Sequence, residues 1–367
     1  MKALAAVCRA FAEPFDVTQI EVQEPKAGEV LVRIAASGVC HSDLSVFQGA
    51  VPFPLPIVLG HEGAGTVEAV GEGVTRVRPG DHVVLSWTPQ CGGCRWCRKG
   101  QPELCERGLR VRRTAAMADG TPRFLLDGSP VRQLSGLGTF SELLVADETA
   151  VVPIDHDVPF DLAALIGCAV LTGVGAAVNT ARIDPGDTVV VIGCGGVGLN
   201  VVQGAVLAGA ERIIAIDRAP GKAETAKQFG ATDILAGTDD TVAGVREITG
   251  GIGADVAFEV VGQPATGRLA VDVIRAGGQA CIVGMAPMDA MLSVPMASTF
   301  VLNGKQIIGS SYGSADVMRD VPRLIGWWRE DRLRLGELIS ERIGLADLNA
   351  AMDALDSSPH LRTVIVY

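Results

Sequence analysis

The sequence predicts an α/β protein of two domains, a β-rich one interrupted by a parallel-sheet one, and three observations carry that prediction. A chain of 367 residues exceeds one ordinary core, the usual scale being roughly 150 residues per domain. Roughly the first 150 residues are short β-rich runs broken by Gly and Pro, whereas from about Asp184 the order becomes strand, Gly-rich turn, helix, strand. After about Ser311 the chain returns to helix and loop and closes on a strand, so its last segment is expected to rejoin the first domain. The boundaries read from this texture are 1–169, 170–311 and 312–367.

Within the first domain, Val30–Cys40 and Gly63–Gly71 alternate or run apolar as strands do, and the turn Arg78–Asp81 leads into a further strand, His82–Trp87. Between about residues 90 and 106 stands CGGCRWCRKGQPELC, with Cys91, Cys94, Cys97 and Cys105. Two-residue gaps let successive thiolates turn back onto one metal and a longer excursion returns the fourth, so this lobe predicts a tetrahedral structural zinc. Leu162–Asn179 carries no charge and imitates a membrane span. Its interruptions at Gly167, Thr172, Gly173 and Gly175 predict a buried helix and loop instead, and no membrane partner. In the second domain Thr188–Ile192, Ala254–Gly262 and Gly277–Ala286 are candidate strands separated by helices; VPRLIGWWRED and ADLNAAMDALDSS follow as helix and loop, and RTVIVY as the closing strand.

Composition narrows the function classes. With 48% hydrophobic and 20% charged residues, two cores are easily filled, and a net charge of −11 argues against nucleic acid as a partner. The short basic run Arg110–Arg113 reads as solvated loop charge. The N-terminal apolar run is broken by Cys8 and Arg9, too early for a secretory signal, so a cytoplasmic protein is expected. Cysteines in a reducing compartment read as metal ligands and buried thiols, the latter being Cys8, Cys194 and Cys281.

Gly193-Cys194-Gly195-Gly196-Val197-Gly198 fits GxGxxG in the right surroundings: an apolar strand before it, a helical run after it, and Asp217 at the end of the next strand. Such a turn lets backbone N–H groups approach a pyrophosphate at a helix N-terminus. Asp217 can accept both hydroxyls of an adenosine ribose and would repel a 2′-phosphate, which favours NAD over NADP. Lys222, five residues on, is either a support for that ribose or an exposed helix lysine.

Three further residues stand in distinctive local sequences, namely Cys40 in GVCHSD, His61 in GHEGAG and Cys168 in IGCAVLTG. Two thiolates and an imidazole would leave one position of a tetrahedral zinc open for catalysis, although buried cysteines are also common without metal. The GVCHSD, GHEGAG, CxxCxxCx7C, GCxxxTG and GxGxxG motifs, in that order and over essentially the whole chain, resemble those of the zinc-dependent medium-chain alcohol dehydrogenases.

The resemblance implies a GroES-like β-barrel catalytic domain, a Rossmann doubly wound parallel-sheet coenzyme domain, a cleft between them, and zinc- and NAD-dependent interconversion of a primary alcohol and an aldehyde through a zinc alkoxide and hydride transfer. It implies two zinc ions per chain: a catalytic one on Cys40, His61 and Cys168, and a structural one on the four-cysteine cage. Glu62 matches the acid behind the metal, which can coordinate it briefly during ligand exchange; the plainer reading is a buried glutamate paired with Arg362, and the two are compatible. His41 and Arg362 match positions that contact the coenzyme pyrophosphate. Thr172 and Val197 match positions packed near the nicotinamide, with plain apolar packing the alternative for Val197. Ser42 matches the hydroxyl that takes the substrate proton and passes it to the nicotinamide ribose. The segment Arg110–Gly138 looks like the dimeric branch, so a homodimer is expected.

Two departures qualify the picture. Classical liver-type members carry histidine where this chain has Ser45, so the relay is expected to end in water or the Ser45 hydroxyl. Members that oxidise the glutathione adduct of formaldehyde carry arginine where this chain has Leu109, which disfavours that substrate while Arg107 and Arg110 stand nearby. A thiol-adduct formaldehyde dehydrogenase and an enzyme with tightly held nucleotide and an external acceptor remain the alternatives. Rivals of other kinds are a zinc-free NADPH reductase of the same fold, which lacks the seven ligand positions, and a catalytically silent binding protein. The substrate wall is expected to include Leu55, Trp87, Leu109, Phe140 and Met285.

Overall fold

A computed structural model describes residues 1–355 and 361–367. They form two compact units, Met1–Cys168 with Asp316–Tyr367, and Ala169–Ala315.

The first unit is mostly antiparallel sheet, as its alternating apolar runs dictate. Its longest strand, Glu29–Val39, pairs with Glu62–Val70 along one side; on the other it takes Leu143–Asp147 at its start and Arg362–Val366 at its end. The RTVIVY segment is thus the neighbour of a strand formed more than three hundred residues earlier. Strand His82–Leu85 follows in the same sheet and stops short of Trp87. Five short strands, Lys2–Cys8, Asp16–Val22, Ile57–Val58, Phe124–Leu126 and Ser129–Gln133, close a barrel. Val, Leu, Ile and Phe side chains from both sheets fill one apolar core, including Phe140, which is fully buried with its ring edge-on to Phe15.

The second unit holds a six-stranded parallel sheet. Its strands are β1 (Thr188–Ile192), β2 (Arg212–Asp217), β3 (Asp233–Ala236), β4 (Ala254–Glu259), β5 (Ile274–Ile282) and β6 (Gln306–Gly309). They lie in the order β3-β2-β1-β4-β5-β6. This is the doubly wound order, in which the chain reverses direction across the sheet between β1 and β4 and opens a crevice at their carboxyl ends.

The uncharged stretch Leu162–Asn179 departs from expectation. The helix is there and mostly buried, but no loop interrupts it: Phe160–Thr180 is one helical run that alternates α and π turns. A helix buried on nearly every side needs no polar face, which is why it reads as a membrane span. Cys168 sits in its first π segment, Ile166–Val170, the kind of irregularity that often re-aims a functional side chain. VPRLIGWWRED lies mostly on the helix Val317–Arg329 and ADLNAAMDALDSS on Leu348–Ala354, residues 356–358 of the latter falling outside the described residues.

Candidate functional site

In the first unit Cys40, His61, Glu62 and Cys168 converge, their ligand atoms all within 4.8 Å of one another and all four residues buried. Three elements deliver them. Cys40 follows the Glu29–Val39 strand and caps the short helix His41–Phe47, His61 directly precedes the Glu62–Val70 strand that Glu62 opens, and Cys168 comes from the π turn. Two sulfurs and an imidazole nitrogen are the donor set that suits zinc, so the residues present fit that ion. The two thiols share a hydrogen bond: it holds Cys40 well below the ordinary thiol range and Cys168 well above.

Asp43 organises the cluster, and the sequence reading missed it. Its Oδ2 accepts the Cys40 backbone N–H at 3.2 Å, while Oδ1 accepts the Gly60 N–H and His61 Nδ1, both at 3.0 Å. Nδ1 therefore carries the proton, and Nε2 is left as the donor to a metal. The signal was available: an acid three residues after a helix cap is capping-box spacing, and GVCHSD ends in Asp43.

Glu62 is fully buried and forms an ion pair with Nη2 of Arg362, while its Oε1 has no hydrogen-bond partner among the described residues. Burial pushes its pKa up to about 7 against the opposing pull of Arg362. Gly38 makes room for it, since a Cβ there would collide with Glu62 Oε2.

The second cysteine set, Cys91, Cys94, Cys97 and Cys105, also brings its sulfurs within 4.8 Å of one another. The Cys91 N–H points at Cys105 Sγ, 3.3 Å away. Burial works against a Cys94 thiolate, but backbone N–H groups of Cys97 and Glu106 outweigh it and bring that thiol down to about 6. All nine cysteines are free of disulfides. Backbone donors aimed at closely grouped sulfurs are what a closed thiolate site requires, so this set fits zinc as well.

In the second unit the Gly-rich turn joins β1 to the helix Gly196–Ala208, which begins with no side-chain cap. A Cβ on Gly198 would collide with the Gly193 carbonyl, whereas a Cβ on Gly195 would meet nothing within 4 Å. The first glycine is needed by the fold; the second leaves an open cradle over free N–H groups, which fits a pyrophosphate. Asp217 ends β2, its Oδ2 accepting the Cys194 N–H and its Oδ1 the Ala219 N–H, each at 2.8 Å. Lys222, half-buried on the helix Pro220–Ala226, stands close enough to Cys194 for their charges to interact.

Comparison with known proteins agrees with this chemistry. Residues 26–156 match the alcohol dehydrogenase GroES-like domain and residues 196–327 the zinc-binding dehydrogenase domain. The chain belongs to the zinc-dependent medium-chain alcohol dehydrogenases. An NDMA-dependent alcohol dehydrogenase of Amycolatopsis methanolica is 39% identical over 369 residues, covering 100% of this chain and 99% of that one. An S-(hydroxymethyl)glutathione dehydrogenase of Paracoccus denitrificans is 37% identical over 377 residues, covering 100% of both. The crystal structure of benzyl alcohol dehydrogenase from Acinetobacter calcoaceticus superposes with a TM-score of 0.94 at 31% identity, covering 100% of this chain and 99% of that one.

Other expected residues of this dehydrogenase fall as follows. His41 is exposed and Ser42 half-buried at the start of the helix His41–Phe47; one turn on, the Ser45 hydroxyl donates to the His41 carbonyl at 3.0 Å. Thr172 and Val197 are half-buried in the second unit, where a Cβ on Gly173 would strike the Val197 carbonyl. Leu109 borders a shallow groove with Glu106, Arg110, Arg113 and Thr114, and Arg107 is committed to Asp147 at 2.9 Å. Leu55 and Trp87 are partly buried against the barrel core, and Met285 is exposed. Phe140 is a correction: its ring belongs to that core with no accessible surface, so it lines no substrate wall.

Proposed function

We propose that this dehydrogenase oxidises a primary alcohol to an aldehyde, and catalyses the reverse, with NAD as hydride acceptor and one zinc ion at each cysteine site. The observation that supports this best is the buried meeting of Cys40, His61 and Cys168 beside a carboxylate with an unpartnered oxygen. Zinc held by that trio supplies Lewis acidity, which makes an alcohol proton easier to remove, and NAD supplies the hydride acceptor.

The chain's own residues do the rest. Asp43 fixes the His61 ring, and Arg362 balances the charge of the buried Glu62 carboxylate beside the residues that would hold zinc. Ser42, on the helix His41–Phe47, would accept the substrate proton at its hydroxyl oxygen and pass its own proton onward. Because the Ser45 hydroxyl already donates to His41, it enters the relay only as an acceptor, and water completes the path. Asp217 favours the ribose diol of NAD over a 2′-phosphate; His41 and Arg362 meet the pyrophosphate, Thr172 and Val197 the nicotinamide, and Lys222 the adenosine ribose. A homodimer is supported by the side chains of Met288, Met291, Met296, Val301 and Leu302, each at least 75% exposed in one stretch of the second unit. A cytoplasmic setting suits nine free thiols.

The test is metal analysis combined with steady-state kinetics on aliphatic, benzylic and terpenoid alcohols, with NAD, NADP or an artificial electron acceptor. Two zinc ions per chain and turnover with added NAD support the reading; fewer than two, or a strong preference for NADP, overturn it. The similarity to the glutathione-adduct enzyme makes formaldehyde with thiols a necessary arm, which Leu109 predicts to be poor. Turnover only with the artificial acceptor would assign the tightly held nucleotide instead.

A further inference from the structure

Glu259 has no place in the chemistry above, yet it is 1% exposed at the carboxyl end of β4, in register with Ile192 at the end of β1. A carboxylate this deep is kept only when its lone pairs are filled. One oxygen does most of that: Oε1 accepts the Val261 N–H at 2.8 Å, the Gly262 N–H at 2.7 Å and the Thr266 hydroxyl at 2.7 Å. The backbone of the same residue continues the pattern, its carbonyl accepting the N–H groups of Val283 and Gly284 beyond β5, while the Val260 N–H returns to the Ile192 carbonyl. Gly284 must be glycine for this, because a Cβ there would lie 2.8 Å from Glu259 Oε2 and collide with Gly262. Glu259 thus ties together the ends of β1, β4 and β5, and Val261 is pressed against Gly193 of the Gly-rich turn.

A dinucleotide lies across the carboxyl ends of such a sheet at the reversal point. If Asp217 on β2 takes the adenosine ribose, the other half must pass over β4 and β5, where Val261 and Met285 offer exposed apolar surface for a flat ring. We infer that Glu259 is a positioning residue for the nicotinamide half of the coenzyme: it touches no reacting atom but shapes the Val260–Gly262 turn on which that half rests. Asp217 and Glu259 then act as paired carboxylates, one on each side of β1, each holding a turn by its N–H groups.

The inference rests on the coenzyme reading, and the experiment separates the two. Binding of NADH and of AMP, which carries only the adenosine half, is measured by calorimetry for the wild type and for Glu259→Ala, Glu259→Gln and Thr266→Val. Wild-type protein that has been freed of any bound nucleotide and still binds neither ligand removes the coenzyme reading itself. With that reading intact, Glu259→Ala is expected to weaken NADH about tenfold and leave AMP within twofold. Glu259→Gln, which keeps an acceptor oxygen on the same stem, should recover most of the loss, and Thr266→Val should show a smaller loss of the same kind. Equal effects on NADH and AMP, or none on NADH, in the variants that retain the wild-type circular dichroism spectrum would overturn the inference. Should Glu259→Ala fail to fold, the Gln and Val variants decide alone: a selective NADH loss in Thr266→Val supports it, and unchanged NADH binding in Thr266→Val refutes it.

Discussion

Replacing Asp43 by Asn tests whether the trio is a metal site held from behind. The side chain keeps its shape but loses its charge, and the donor count at each oxygen sets the consequence. Oδ1 receives two donors, Gly60 N–H and His61 Nδ1, while Oδ2 receives one, Cys40 N–H. The amide will keep its oxygen toward the pair and turn its NH2 toward Cys40, donor against donor. At least one hydrogen bond to a charged group is lost, about 1.5–3 kcal/mol, and the remaining two weaken. At 1.4 kcal/mol per decade this corresponds to roughly ten- to a hundredfold weaker zinc at the trio, the range expected when the group behind a ligating histidine is changed. The cage contains no part of Asp43 and should be unaffected. Dialysis against graded chelator followed by elemental analysis should therefore show one zinc ion leaving early and one staying, with kcat/KM falling in step with the first. Asp43→Asn protein that keeps both ions and full activity at wild-type chelator concentrations would refute the reasoning.

Two glycines of the coenzyme turn should separate folding from binding: Gly198→Ala, whose methyl collides with the Gly193 carbonyl, lowers both thermal stability and NADH affinity, whereas Gly195→Ala keeps its melting temperature within about 2 °C and loses affinity. Burial, helped by His156 with its ring centroid 4.0 Å away, holds the His82 pKa below its usual value. Below about pH 6.5 the unfolded chain then binds more protons than the native one, so this contribution to stability is complete above that pH and is lost as pH falls. Urea midpoints from pH 5 to 8 should show a shallower acid-side decline in His82→Gln than in wild type. Burial also raises Cys8 to about 11 and Cys194 and Cys281 to about 12, so native protein treated with iodoacetamide at pH 8 should leave these three unlabelled by mass spectrometry until it is unfolded.

What the sequence disclosed was chiefly what is local. Cys91 to Cys105 and Gly193 to Gly198 are chemistry compressed into fifteen residues or fewer, and their spacing survives folding. Short apolar runs bounded by Gly and turn residues located Glu62–Val70 and Thr188–Ile192 within a residue, because a strand buried on both faces shows as an unbroken apolar stretch of that length. Less legible was anything that required a partner chosen by the fold. Asp43 looks like one more helix-start acid until Gly60 and His61 arrive from the segment that leads into the Glu62–Val70 strand. Glu259 looks like the end of a strand until Thr266 and Gly262 turn back onto it. Phe140 was misread for the converse reason: an aromatic residue can serve a pocket or a core, and only the placement of Phe15 decides. The Phe160–Thr180 helix was broken by its glycines on paper, but close packing on all sides suppresses the freedom that makes glycine a helix breaker in water.

The pair Arg362–Glu62 spans 300 residues, and that separation is also an interval of time. At about 5–20 residues per second, a ribosome delivers the cation some 15–60 s after the acid it neutralises. Until then the Glu29–Val39 strand lacks the neighbour that covers its end, and Glu62 lacks the partner that makes its burial tolerable. All three residues of the trio have already been made, as has the whole second unit, which is one uninterrupted stretch of chain. The unit whose synthesis begins first is thus completed only after the second unit has been made, so the buried acid beside the trio spends that interval without its counter-charge.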